Sequence, residues 1–330
     1  MTDQQKIIGG FFSLELPMRS EYHSQALRLN SARYALEYVL RVRHYKKIYL
    51  PAYICDSVLQ PIKRLNIDYT FYSIDEHFAP VFNRVPEDNA CFLYVNYYGM
   101  NNANVQRVCR NLTNVIIDNT QAFFDRPQLG VDTLYSPRKF FGVPDGGYLY
   151  TDAEERLELE RDPSYYRCDA LLKQIDLGSV SAEPLFEQNE AYLDTCGMHA
   201  MSRTTQRLLM SVDYEQVRTI RNENFRFLHQ QIGTYNLLRA DFTNVNGPMC
   251  YPFFIDRGEE LKDYLLQHHI YANDYWQEVL SRVASTRFDY RLAKNLIALP
   301  IDQRYTETDM RFIAQIVRSF LVDNQKDRTV

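Results

Sequence analysis

Short, nearly continuous apolar runs that alternate with helix-patterned stretches constrain this chain most. Ile48-Tyr49-Leu50-Pro51, Tyr69-Thr70-Phe71-Tyr72, Phe92-Leu93-Tyr94-Val95 and Val115-Ile116-Ile117 each have the length of a strand. Between them, residues 31–43, 56–65 and the stretch around Val105–Arg110 carry helical spacing, with Ala35, Leu36, Val39 and Leu40 on one face of the first. Strands without polar alternation are buried on both faces, and crossover helices supply the cover. The first two-thirds therefore predict a mainly parallel α/β sheet. Beyond Gly197 the pattern changes: Met249–Ile255 and Leu296–Leu299 read as strands and 258–268 and 307–322 as helices, a smaller α+β unit. Residues 200–232 contain no Gly or Pro and predict one long helix, ended by Gly233, that joins the two parts.

Composition bounds the function classes. At roughly 150 residues per domain, 330 residues make about two domains. Apolar residues make up 45% and charged residues 24%, enough for a buried core and unlike a disordered chain. A net charge of −5 argues against a nucleic-acid partner. No apolar run reaches the ~18 residues of a membrane span, and Met1–Lys6 lacks the charge order and apolar stretch of a signal peptide. The six cysteines form no CxxC, and the seven histidines show no metal spacing. The expectation is a reduced, cytoplasmic protein with no metal. Tyrosine is unusually frequent, at 25 residues, and reads as apolar walls carrying hydroxyls.

Common nucleotide-binding and hydrolase motifs are absent, namely GxGxxG, GxxxxGK[ST], GxSxG and HExxH. Ser136-Pro137-Arg138-Lys139 fits S-x-x-K, but the SDN and KTG partners of the penicillin-binding pattern do not occur. The informative region runs from 114 to 150. Ile116-Ile117-Asp118 places a carboxylate at the end of a parallel strand, where ligands bind in open α/β sheets. Lys139 follows, flanked by Phe140 and Phe141 and a Pro144-Asp145-Gly146-Gly147 turn. Such surroundings would desolvate an amine and favour the neutral, nucleophilic form that Schiff-base chemistry needs.

These residues resemble the fold-type I pyridoxal-phosphate (PLP) enzymes, in particular the DegT/DnrJ-type sugar aminotransferase family. Asp118-Asn119-Thr120-Gln121 is similar to the family's aspartate followed three residues later by Gln or His. Lys139 lies seven residues before Gly146, as the family's Schiff-base lysine precedes its Gly-Gly pair. Asn30-Ser31-Ala32-Arg33-Tyr34-Ala35-Leu36 resembles the helix start that holds the phosphate, and Leu50–Cys55 the strand-to-helix turn after it. Asn96-Tyr97-Tyr98-Gly99, Ile8-Gly9-Gly10 and Leu299-Pro300-Ile301-Asp302 with Tyr305-Thr306-Glu307 resemble further segments, so the likeness spans about 8–320.

The resemblance implies a fold-type I PLP-transferase-like α/β fold. It has an N-terminal arm (1–30), a large domain (31–212) with a seven-stranded type of sheet, and a small C-terminal domain (213–330). It implies a PLP-dependent aminotransferase moving an amino group from glutamate onto a nucleotide-linked keto sugar, in a homodimer with a shared active site. Lys139 would be the catalytic amine and Asp118 the partner of the pyridine nitrogen, with Gln121 donating to the phenolic oxygen. Ser31, Ala32, Arg33 and Ser136 would hold the phosphate, Cys55, Tyr53 or Tyr97 would pack on the ring, and Tyr97, Tyr98, His199 and Arg203 would face substrate. The chain departs from the family at several points. Ser136 stands only three residues before Lys139, and Cys55 takes the stacking aromatic's place. In Gly197-Met198-His199-Ala200-Met201 the family's asparagine is His199, and its arginine is missing unless Arg203 substitutes. These departures motivate a second expectation, a degenerate PLP-fold protein that binds or regulates without transamination. A lysine at 139 argues against the related dehydratases, which carry histidine there.

Overall fold

The computed structural model describes residues 8–326. Its centre is an eight-stranded sheet in the order β1-β8-β7-β6-β5-β2-β3-β4. The strands are β1 Leu27–Leu29, β2 Lys47–Pro51, β3 Asp68–Ile74, β4 Pro80–Val81, β5 Ala90–Val95, β6 Val115–Asp118, β7 Asp132–Tyr135 and β8 Gly147–Tyr150. Strands β3, β2, β5, β6 and β7 run parallel, while β8, β1 and the two-residue β4 pair antiparallel. This is the expected mainly parallel sheet with one short extra edge strand. Every residue of β5 and β6 is buried, the consequence of covering both faces.

The helices are α1 Ala32–Val42, α2 Leu59–Arg64, α3 Asn102–Asn111, α4 Asp169–Leu177, α5 Ser179–Thr195, α6 Arg203–Leu209 and α7 Tyr214–Ile232. The C-terminal part pairs β9 Tyr251–Phe254 with β10 Leu296–Leu299, antiparallel, beside α8 Gly258–Gln267, α9 Val279–Arg282, α10 Phe288–Asn295 and α11 Glu307–Lys326.

The long helix expected over 200–232 is two helices. Helix α6 stops at Leu209, and α7 starts afresh at Tyr214 because Asp213 caps it, its carboxylate accepting from the Gln216 N–H at 3.1 Å. Aspartate followed three residues later by glutamine is a capping signature, and it marks the break that the absence of Gly and Pro concealed. Gly233 does end α7, but with φ −59, so it is not a left-handed cap. A Cβ there would sit 2.7 Å from the His229 ring, and close approach is its reason for being glycine.

The parallel strands bring their carboxyl ends to one edge. Val95 of β5 lies in register with Asp118 of β6, and Asp118 with Leu134 of β7. The N-terminus of α1 is drawn to the same edge because the Gly146 N–H donates to the Asn30 carbonyl at 2.7 Å and Ser31 bridges to Gly146.

Candidate active site

A cavity of about 490 Å³ opens at this edge. The register row Val95, Asp118 and Leu134 forms part of its wall, together with Thr120, Ser136, Arg138 and Lys139. Ser31, Ala32, Arg33 and Cys55 close one end, and Tyr275, Trp276 and Glu278 arrive from the C-terminal part. Residues far apart in the chain thus converge at the place where open parallel sheets bind ligands.

Asp118 is buried at the end of β6, and its Oδ1 accepts the Thr120 N–H at 2.8 Å. Pro137–Lys139 forms a single 3-10 turn after β7, which presents Lys139 to the cavity. Lys139 Nζ donates to Thr120 Oγ1 at 3.0 Å. The aspartate and the amine are therefore tied through one threonine. Phe140 and Phe141, expected to wall the amine, turn away from it. They pack against Phe123 and Tyr214, with the Arg221 guanidinium over Phe140.

The opposite end carries cations and donors. Ser31 is the N-cap of α1 yet makes no capping bond, and among the described residues its buried Oγ has no hydrogen-bond partner. Arg33, in the first turn, donates to Gln60 Oε1 at 2.8 Å and is ion-paired with Asp194. Arg138 is ion-paired with Glu190, while its Nε has no hydrogen-bond partner among the described residues. Burial foremost, and then the neighbouring Arg33, lower the Arg138 pKa to about 10. Backbone N–H groups at a helix start and two guanidiniums make this end a place for an anion.

Several expected site residues stand elsewhere. Gln121 does not line the cavity: its Oε1 accepts the Tyr98 N–H at 3.0 Å, and its buried Nε2 has no partner among the described residues. That bond braces Tyr98, whose φ of 58 is unusual for a bulky residue. Thr120 takes the wall position instead. Tyr53, Tyr97 and Tyr98 lie behind the wall, because their rings and hydroxyls satisfy one another. Tyr53 and Tyr98 share a 2.9 Å hydroxyl contact, and Tyr97 donates to the Tyr53 carbonyl at 2.9 Å. Trp276 packs edge-on against Tyr53 and, with Tyr275 and Phe186, brings aromatic rings to the cavity. His199 is held away by backbone ties to Asn30 and by its own Nε2 contact with the Cys196 carbonyl at 3.0 Å. Arg203 is exposed at the start of α6 and does not line the cavity. Thr120, Trp276 and Glu190 were missed by sequence reasoning. Only Arg138 carried a local signal, its place beside the lysine.

The fold is that of sugar aminotransferase structures. The chain is similar to the aminotransferase TlmJ from Streptoalloteichus hindustanus, at 15% identity and TM-score 0.63, covering 91% of this chain and 87% of that one. The sugar aminotransferase CalS13 from Micromonospora echinospora aligns at 14% identity and TM-score 0.59, covering 90% and 87%. DesV from S. venezuelae, solved in complex with a ketimine intermediate, aligns at 14% identity and TM-score 0.57, covering 89% and 84%. No family model and no curated protein matches the chain.

Proposed function

We propose that this protein is a PLP-dependent aminotransferase that moves an amino group from glutamate onto a nucleotide-linked keto sugar. The observation that carries this reading is the convergence of Lys139, Asp118 and the N-terminus of α1 on one cavity. Structures of this fold named as sugar aminotransferases support the reaction class.

The residues present fit the cofactor. The unpartnered Ser31 Oγ and Arg138 Nε lie at the anion-suited end, and the Asp118 carboxylate and Lys139 amine at the other. Ser31, Ala32, Arg33, Ser136 and Arg138 would hold its phosphate. Asp118 would face the pyridine nitrogen, and Cys55 and Trp276 would pack beside the ring. When bound, PLP supplies the electron sink that makes a proton beside nitrogen removable. Asp118 would place its carboxylate where that sink needs a protonated ring nitrogen. Lys139 holds and returns the moving proton at Nζ, oriented by Thr120 Oγ1. The aromatic pair Tyr275–Trp276 excludes water from the side facing the C-terminal part.

A homodimer with a shared site accompanies this reading. Phe11 and Phe12 of the arm and Leu172, Ile175 and Val180 of the α4–α5 hairpin are exposed apolar residues that support a second subunit. No helix among the described residues is long and apolar enough to cross a membrane. The free thiols of all six cysteines support a reducing, cytoplasmic setting.

The degenerate-fold reading keeps two specific observations in its favour. Cys55 stands on the cavity wall, and the 197–203 segment is bound into its own chain. A glutamate half-reaction followed by a panel of keto sugars decides between the two. Amino transfer removes the degenerate reading, and PLP binding with no transfer to any sugar favours it.

A further inference from the structure

We propose that Glu190 and Asp194 of α5 are displaceable internal caps on the phosphate seat that holds Arg33 and Arg138. The inference rests on the PLP reading for the identity of the ligand, but not for the chemistry of the seat.

Glu190 and Asp194 stand one turn apart on α5, so both carboxylates share a helix face. Each meets one guanidinium, Asp194 that of Arg33 and Glu190 that of Arg138. Glu190 lines the cavity with both arginines and so stands where a ligand would. Together the two carboxylates carry the charge of a phosphate monoester near neutral pH, about −2.

The caps leave the seat incomplete. Ser31 is only 3% exposed, its Oγ has no partner among the described residues, and Arg138 Nε is equally unpartnered. A carboxylate offers two oxygens and reaches one guanidinium. A phosphoryl group offers three, and can engage the guanidiniums, the Ser31 hydroxyl and the first N–H groups of α1 together. Binding is therefore an exchange of ion-pair partners in which no covalent bond changes. The arginines are paired in the ligand-free protein, and the ligand must displace the carboxylates. Removing one partner of a purely structural buried pair leaves an unpaired charge and costs stability.

The test is calorimetric titration of inorganic phosphate into the wild type, Glu190→Gln, Asp194→Asn and Arg138→Met. PLP binding is followed in parallel through the fluorescence of Trp276, the chain's one tryptophan. Removing a cap should tighten phosphate binding about fivefold in each amide variant, since it deletes a competing, partly exposed ion pair. Arg138→Met should weaken it about tenfold or more. Amide variants that bind phosphate no better than wild type overturn the caps, and an unchanged affinity in Arg138→Met overturns the seat. The PLP reading is judged separately. Capture of PLP on Lys139 without tightening in the amide variants would discard the caps alone. Phosphate behaviour as expected with no PLP capture would discard the PLP reading alone.

Discussion

Lys139 Nζ donates to Thr120 Oγ1 at 3.0 Å, and the Thr120 N–H donates to Asp118 Oδ1 at 2.8 Å. One threonine thus fixes the relative position of a carboxylate that ends β6 and an amine on the turn after β7. Thr120→Val removes the hydroxyl and keeps the branched shape. It should weaken PLP binding about fivefold, the worth of one such hydrogen bond, and Thr120→Ser should restore it. Quenching of Trp276 fluorescence by PLP gives the affinity, and an unaltered value in Thr120→Val would remove the orienting role.

Asp118→Asn is a cleaner probe of charge than of shape. The asparagine oxygen still accepts the Thr120 N–H, so the strand end should remain in place. Without the negative charge, the ring nitrogen of bound PLP would lose the group proposed to keep it protonated. The glutamate half-reaction should slow by about a hundredfold or more, with PLP still bound. Single-turnover absorbance changes measure this, and a half-reaction within about threefold of wild type would contradict the assignment.

Gly147 holds the anion end in place through its lack of a side chain. A Cβ there would fall 2.4 Å from the Ser31 carbonyl carbon and 2.6 Å from the Ala32 nitrogen, both backbone atoms that cannot rotate away. Gly147→Ala should cost about 3 kcal/mol in stability. It should also weaken phosphate binding, because the start of α1 must move. Denaturant melts and phosphate calorimetry on the same variant check the two effects.

His23 should make the protein acid-sensitive. Burial lowers its pKa from the ordinary 6.5 to about 3, while its Nε2 contacts the Phe123 carbonyl at 2.8 Å. The depressed folded value means its contribution is fully present above pH 6.5 and is lost as the pH falls toward 3. By pH 5 the loss is about 2 kcal/mol. His23→Gln should flatten the fall of stability between pH 6.5 and pH 4, as read by urea midpoints. An identical slope in both proteins would show that other groups govern it.

Much of the sheet was legible because its strands announce themselves. Double-sided burial makes β5 and β6 nearly continuous apolar runs, and Asp118 stands out as the carboxylate at the end of one. The lysine was legible from its distance to Gly146-Gly147. The α4–α5 hairpin was not. Pro184 lies inside α5, and Val180 and Phe186 are exposed, so no one-sided apolar stripe marks the helix that delivers Glu190. Trp276 enters the wall only through tertiary packing on Tyr53, which no local spacing encodes. Gln121 illustrates the reverse case. Its spacing from Asp118 fits a cofactor contact, but the left-handed backbone at Tyr98 engages its amide oxygen.

Lys139 is the amine proposed to carry the cofactor. Incubation with PLP, borohydride reduction and mass spectrometric mapping test it directly. The expected result is a pyridoxyl adduct on the peptide containing Lys139, visible cofactor absorbance before reduction, and loss of both in Lys139→Ala. An adduct spread over surface lysines, or absorbance that survives in Lys139→Ala, would contradict it.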